Sequence, residues 1–315
     1  MSENVNDNEF SGNVIRPFQL ESSSLRGRIL RLNTVLDDIL KPHGYPMEIS
    51  QLLGEVVTLS ALFSSMLKFD GIFTLQIYGD GAVSMLVADM TSDGDIRGCA
   101  TFSEEKFNTL KDQKTTGLHD LLGKGYLAFT VDQGEDTERY QGIVELKGDN
   151  LIDSVQHYFV QSEQLNTAIM IAVEKNNSKN GEGAWHSAGL MLQHMPSDGG
   201  HETAPAVDVS QYSNVSNLNE DDWRRAMILM ESCKREELLS DDLSSHDVLL
   251  RLFHEEGVRV FEPAPLQHQC RCSQERVENV FKMLSDEERQ DMIVDGKITM
   301  TCEFCSKDYN VKPLS

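Results

Sequence analysis

The sequence predicts an α+β protein: N-terminal helices packed on a mostly antiparallel sheet, then a helical linker and a small C-terminal cysteine module. Three features carry this. Two apolar stretches at helical spacing precede a run of alternating strand segments. Gly- and Asp-rich turns separate those segments. Four of the six cysteines fall in two close pairs near the end of the chain.

Residues 1–16 read as a mobile acidic tail. Leu25, Ile29, Leu32, Leu36 and Ile39 then recur at helical spacing up to Lys41-Pro42. Pro46 suits the first turn of a second helix, where its missing N–H costs nothing. The apolar stripe of that helix, from Leu52 to Leu67, is wide enough to be buried between layers. Segments 72–78, 82–88 and 96–101 alternate, and the turns Gly79-Asp80-Gly81 and Ser92-Asp93-Gly94-Asp95 separate them, which is a meander signature. Further strands are expected at 125–131 and 139–146, a helix over 150–164, and a closing strand pair at 167–173 and 189–195. Residues 17–195 thus form one α+β core domain.

Residues 196–265 change character. The first part, to about 218, is rich in Gly, Pro and small polar residues and reads as a linker. Residues 220–256 are helical and acidic, with 5 bases and 11 acids (5 − 11 = −6). Trp223, Met227 and Met230 give only a thin apolar stripe. Ser244 or Ser245 can cap a further helix carrying Val248, Leu249, Leu252 and Phe253. With so little apolar surface, this region should depend on its neighbours for stability.

The whole chain of 315 residues has a formal charge of 28 − 51 = −23. That charge repels phosphate backbones and anionic bilayers, so neither nucleic acid nor membrane is an expected partner. The opening run MSENVNDNEFSGN has no basic start and no apolar core, which excludes a signal peptide and gives a cytoplasmic expectation. In that compartment, closely spaced cysteines bind metal or do redox chemistry more often than they staple a fold.

Residues 266–315 carry the sharpest chemistry. Cys270-Arg-Cys272 is followed after 29 residues by Cys302-Glu-Phe-Cys305. Two close pairs suit a tetrahedral thiolate site, the usual structural arrangement for one Zn²⁺. Two metal-free disulfides, or thiols with no shared role, are the alternatives. Ser273 caps a helix, Ser285-x-x-Glu288 opens a second with a capping box, and Lys297 to Thr301 forms a strand leading into Cys302. A unit this small seldom holds together by its core, so the metal would supply its folding energy. Cys99 and Cys233 have no nearby cysteine in sequence and read as buried, inert thiols.

Beyond the cysteines, the chain resembles the redox-regulated 33 kDa heat-shock chaperone family. The resemblance rests on Leu121-Leu-Gly-Lys-Gly-Tyr126, Asp132-Gln-Gly134, Glu138-Arg-Tyr-Gln-Gly-Ile-Val144, His157-Tyr-Phe159, Gln161-Ser-Glu-Gln164, Gly189-Leu-Met-Leu-Gln193, Arg251-Leu-Phe-His254 and the two cysteine pairs. It covers roughly residues 24–311. It implies an ATP-independent holdase for unfolding proteins, not an enzyme. The reduced form would be an inactive monomer with zinc on Cys270, Cys272, Cys302 and Cys305. Oxidation would form Cys270–Cys272 and Cys302–Cys305 disulfides, expel zinc, unfold the module and linker, and give an active dimer. Two other readings remain: a thiol–disulfide oxidoreductase using Cys302-x-x-Cys305, which needs the motif at a helix N-terminus, and a zinc-ribbon adaptor.

Overall fold

The computed structural model describes residues 12–23, 25–134, 137, 139–159, 166–176, 183–194, 220–294 and 297–312. Most of the expected tail, the linker over 196–219 and the end of the helix expected over 150–164 lie outside them.

The chain opens with an antiparallel pair, β1 (Asn13–Leu20) and β2 (Leu25–Leu32), followed by α1 (Thr34–Leu40). This corrects two expectations. Residues 13–16 belong to a sheet, not to a tail; Pro17 inside the strand disguised it, since proline cannot donate to a ladder. Leu25, Ile29 and Leu32 lie in a strand, not a helix. Every residue of β2 is buried, because helices cover both faces of its sheet. Arg26, Arg28 and Arg31 are among those buried residues, so polarity along the segment no longer reports the period. Gly27 admits the Phe18 ring, whose Cζ would lie 2.2 Å from an added Cβ.

After a 3-10 turn at Lys41–His43 comes α2 (Met47–Ser64). Residues 56–64 are all buried. Then follow β3 (Ile72–Gly79), β4 (Val83–Thr91), β5 (Asp95–Phe102), α3 (Glu104–Gln113), α4 (Leu118–Leu122), β6 (Gly125–Asp132), β7 (Tyr140–Glu145), α5 (Leu151–Tyr158), β8 (Thr167–Lys175) and β9 (Trp185–His194). The expected strands are all present, but they build two sheets instead of one. The first runs β2-β9-β8 inward from β1, and the second runs β5-β4-β3-β6-β7. Helix α2 lies between them. Thr58 Oγ1 is 2.7 Å from Ser187 Oγ on β9, and Ser60 Oγ donates to the Ala88 carbonyl on β4 at 3.4 Å.

The acidic helical segment forms α6 (Glu220–Glu231), α7 (Arg235–Leu238) and α8 (Ser245–Phe253), with Ser244 closing a capping box with Asp247. This layer covers the far face of the first sheet. Ala226, Met230, Leu238, Leu249 and Phe253 pack on Phe18, Leu20, Leu25 and Ile29. A buried side chain of this size contributes about 1.5–3 kcal/mol, so the stability of the layer resides in its contact with the sheet.

Three short strands then sew the chain onto both sheets. β10 (Val258–Val260) and β11 (Ala264–Pro265) pair with β1, and β12 (Gln267–His268) pairs with β5 in parallel. The sequence boundary at 265/266 falls inside this seam. Beyond it lie α9 (Gln274–Met283), α10 (Asp286–Asp291), β13 (Ile298–Thr301) and β14 (Asp308–Val311), a small unit whose buried apolar cluster is Phe281, Ile298 and Val311.

Candidate metal centre

The seam delivers the first cysteine pair. Gln269 N donates to the Ile96 carbonyl at 3.3 Å, so Cys270 emerges from the edge of β5. Cys272 ends this approach, and Ser273 caps α9 as expected, its hydroxyl accepting from Arg276 N at 3.2 Å. The second pair occupies the turn between β13 and β14. Ser306 N donates to the Cys302 carbonyl at 2.8 Å, Cys302 N donates to the Lys307 carbonyl at 2.9 Å, and Ser306 takes the left-handed conformation (φ 54°).

All four Sγ atoms lie within 4.8 Å of one another. Cys270 Sγ is 3.7 Å from Cys302 Sγ, and Cys272 Sγ is 3.5 Å from Cys305 Sγ. A regular tetrahedron of sulfurs about 2.3 Å from a zinc ion has edges of about 3.8 Å. The thiols therefore stand close to the spacing that such an ion needs, and soft sulfur ligands favour zinc over magnesium or calcium. Burial raises the thiols of Cys302 and Cys305. At Cys272 burial also raises the thiol, but the hydrogen bonds from Tyr309, first, and from the other cysteines outweigh it and bring it to about 7. Tyr309 Oη donates to Cys272 Sγ at 3.0 Å.

The cysteine pairs rest on the core through the residues between them. Arg271 Nη2 donates to Asp89 Oδ1 at 2.7 Å. Arg97, opposite Asp89 across the β4–β5 ladder, grips both carboxylate oxygens at 3.0–3.1 Å. Its guanidinium also lies 3.8 Å from the centre of the Phe304 ring, and Nη1 is 3.9 Å from Cys270 Sγ. Ser306 Oγ is 3.2 Å from His43 Nδ1, which adds a further contact. None of these supporting residues was singled out from sequence. One signal was available: a turn centred on Asp93 sets position 89 opposite position 97.

Cys99 and Cys233 are not among the four clustered thiols, and both are buried. Burial, and then the charge of Glu303, pushes the Cys99 thiol up to about 12; burial also raises that of Cys233. Cys302 and Cys305 follow a strand, so no helix N-terminus activates them. No helix among the described residues is long and apolar enough to cross a membrane.

Comparison with known proteins is decisive for the family. The family model described as Hsp33 protein matches residues 13–312. This chain belongs to the Hsp33 family. Among its Hsp33 relatives, the 33 kDa chaperonin of Caulobacter vibrioides (strain NA1000 / CB15N) is 36% identical over 303 residues, 95% of each chain. The 33 kDa chaperonin of Escherichia coli O7:K1 (strain IAI39 / ExPEC) is 33% identical over 293 residues, 93% of this chain and 89% of the relative. The crystal structure of the Hsp33 homologue from Thermotoga maritima shares the fold, with a TM-score of 0.72, 21% identity and 95% coverage of both chains. The Hsp33 assignment makes this a chaperone-family protein whose four clustered cysteines can hold a metal ion.

Proposed function

We propose that this protein is an ATP-independent holdase for unfolding proteins under oxidative stress, controlled by the redox state of Cys270, Cys272, Cys302 and Cys305. The observation that carries the reading is the set of four partly exposed thiols within 4.8 Å, held in a module with little core of its own. A zinc ion bound there would keep the sulfurs as thiolates and clamp the module. Cys270 and Cys272, and likewise Cys302 and Cys305, each give up one electron per sulfur to a peroxide. The two sulfurs of a pair join, and the peroxide takes up two electrons and two protons and leaves as two waters. Sulfurs joined in this way no longer ligate.

Loss of the module then loosens the seam and the α6–α8 layer, which frees apolar surface for clients. The reduced form is an inactive monomer and the oxidised form an active dimer. It works in the cytoplasm, without enzymatic turnover and without nucleic acid or membrane as partner. The acting units are the core to about residue 195, the linker and helical layer over 196–265, and the switch module over 266–315.

Light scattering from a heat-unfolded client, without ATP, tests this. The peroxide-oxidised protein is expected to suppress aggregation and the reduced, zinc-loaded protein is not. Equal activity in both states rejects the switch, and none in either rejects the holdase.

A further inference from the structure

The ends of the two sheets are not treated alike. In the first sheet, β10 and β11 pair with the outer edge of β1, and at the other end Arg235 of α7 donates to the Val173 carbonyl on β8 at 3.0 Å. In the second sheet, β12 pairs with β5. Among the described residues, no strand pairs with β7 on the side away from β6. Leu146 N donates to the Gly125 carbonyl at 3.0 Å. Hydrogen-bonded pairs alternate along an antiparallel ladder, so Gln141, Ile143 and Glu145 turn their N–H and C=O groups to the open side. β7 also lacks the usual guards of an edge strand. From Tyr140 to Val144 it carries no charge and no proline, and its register with β6 is unbroken. Ile143 is 60% exposed. It lies opposite Ala128, on the same face as Tyr126, which is 42% exposed and stacks on Tyr78.

We propose that the outer edge of β7 takes an extended segment of an unfolding client as an added strand. The main chain of Gln141, Ile143 and Glu145 supplies the hydrogen bonds, and Ile143 and Tyr126 meet the alternate side chains of the segment, which is recognition by strand addition. Two observations favour this occupant over a second copy of the chain. β7 offers six residues, against about 20–30 a side in a lasting interface, and two copies at −23 repel each other. The sheet also has a precedent. β12 is a short extended segment added at its β5 end, and the same outer face carries the module through Asp89 and Arg271. The proposal deepens the holdase reading, and rests on it, by naming where a client lies. Six residues bind weakly, so the edge alone holds no client in the reduced form. Apolar surface freed by the switch adds a second contact, and two contacts on one client gain through effective concentration.

The test is amide hydrogen exchange at residues 141, 143 and 145 of the reduced full chain. The probe is an eight-residue peptide of alternating Thr and Val with Lys at each end. Its control is the same peptide N-methylated at every amide, which keeps the side chains and loses the donors. The saturating probe is expected to slow exchange at least tenfold at these three amides, and the methylated control less than twofold. Amides already protected without peptide, no protection by the probe, or equal protection by both peptides overturns the proposal. Protection that appears on raising the protein concentration alone assigns the edge to a second copy and overturns it too. Ile143→Pro removes an outward N–H without breaking the β6 ladder. The oxidised variant should suppress aggregation of a heat-unfolded client at least threefold less well than oxidised wild type, and equal suppression overturns the proposal. If Ile143→Pro does not fold, Ile143→Lys guards the edge with a charge and runs the same comparison. Oxidised wild type that suppresses no aggregation overturns the holdase reading, while the peptide arm still decides the edge.

Discussion

Arg225 on α6 donates to both carboxylate oxygens of Glu256, just after α8. Glu256 is buried and also accepts from the Ser22 hydroxyl at the β1–β2 turn. One carboxylate therefore pins the helical layer to the first sheet. Arg225, chiefly, holds its carboxyl below the usual range. A depressed value contributes stability that is present above the unfolded pKa, near 4.3, and is lost as pH falls through the folded one. Glu256→Gln should open α6 about tenfold more often at neutral pH, as expected for loss of a charged hydrogen bond. Hydrogen exchange over 220–231 measures it; unchanged exchange would leave the layer held by apolar contact alone.

Gly27→Ala separates a strand from a helix over 25–32. In a helix interior, alanine stabilises by about 1 kcal/mol relative to glycine. In β2 the new Cβ would meet Phe18 Cζ at 2.2 Å and the Met191 carbonyl oxygen at 2.5 Å. Overpacking of that kind costs about 1–3 kcal/mol. A lowered Tm is expected, and a raised one would contradict the strand.

Glu55 on α2 supplies an opposite pH dependence. Burial raises its carboxyl to about 6, against smaller opposing effects of Gln51 and Arg235. The folded chain then binds more protons than the unfolded chain between about pH 4.5 and 6. Stability therefore falls as pH rises through that window, by about 2 kcal/mol. Glu55→Gln should remove that slope from urea denaturation midpoints taken across it. A slope that persists would assign it to another group.

Tyr309→Phe removes the hydroxyl that donates to Cys272 Sγ. Loss of an outer hydrogen bond typically weakens metal affinity 10–100-fold, measurable by competition with a zinc-binding dye. Full chelation goes further. The small buried apolar cluster of the module, Phe281, Ile298 and Val311, does not replace the ~10–16 kcal/mol that structural zinc supplies in small fingers. The β13–β14 amides should lose protection while β3 and β6 keep theirs. Protection retained at 298–311 would show a self-sufficient module.

Legibility from sequence followed the physics of each signal. The strands from β3 to β9 were readable because turns punctuate them and one face alternates. β2 was not, because it is buried on both faces and carries three arginines. β10 to β12 were invisible, since two or three residues have no period and their pairing depends on distant partners. The cysteine cluster was legible because ligand chemistry fixes spacing. Its supports were not: Asp89 and Arg97 look like ordinary surface charges until Arg271 and Phe304 arrive from the other end of the chain.

That arrival has a timing. The outer edge of β1 is paired by β10 and β11, and Arg16 donates to the carbonyl of Phe261, 245 residues later. Synthesis runs from the N-terminus, and domains fold as they emerge. On the ribosome, therefore, β1 must wait with an open edge until residues 258–265 have been made. An open edge is a template for stray strands. The nascent protein is thus itself at risk of aggregation until β10 and β11 are translated.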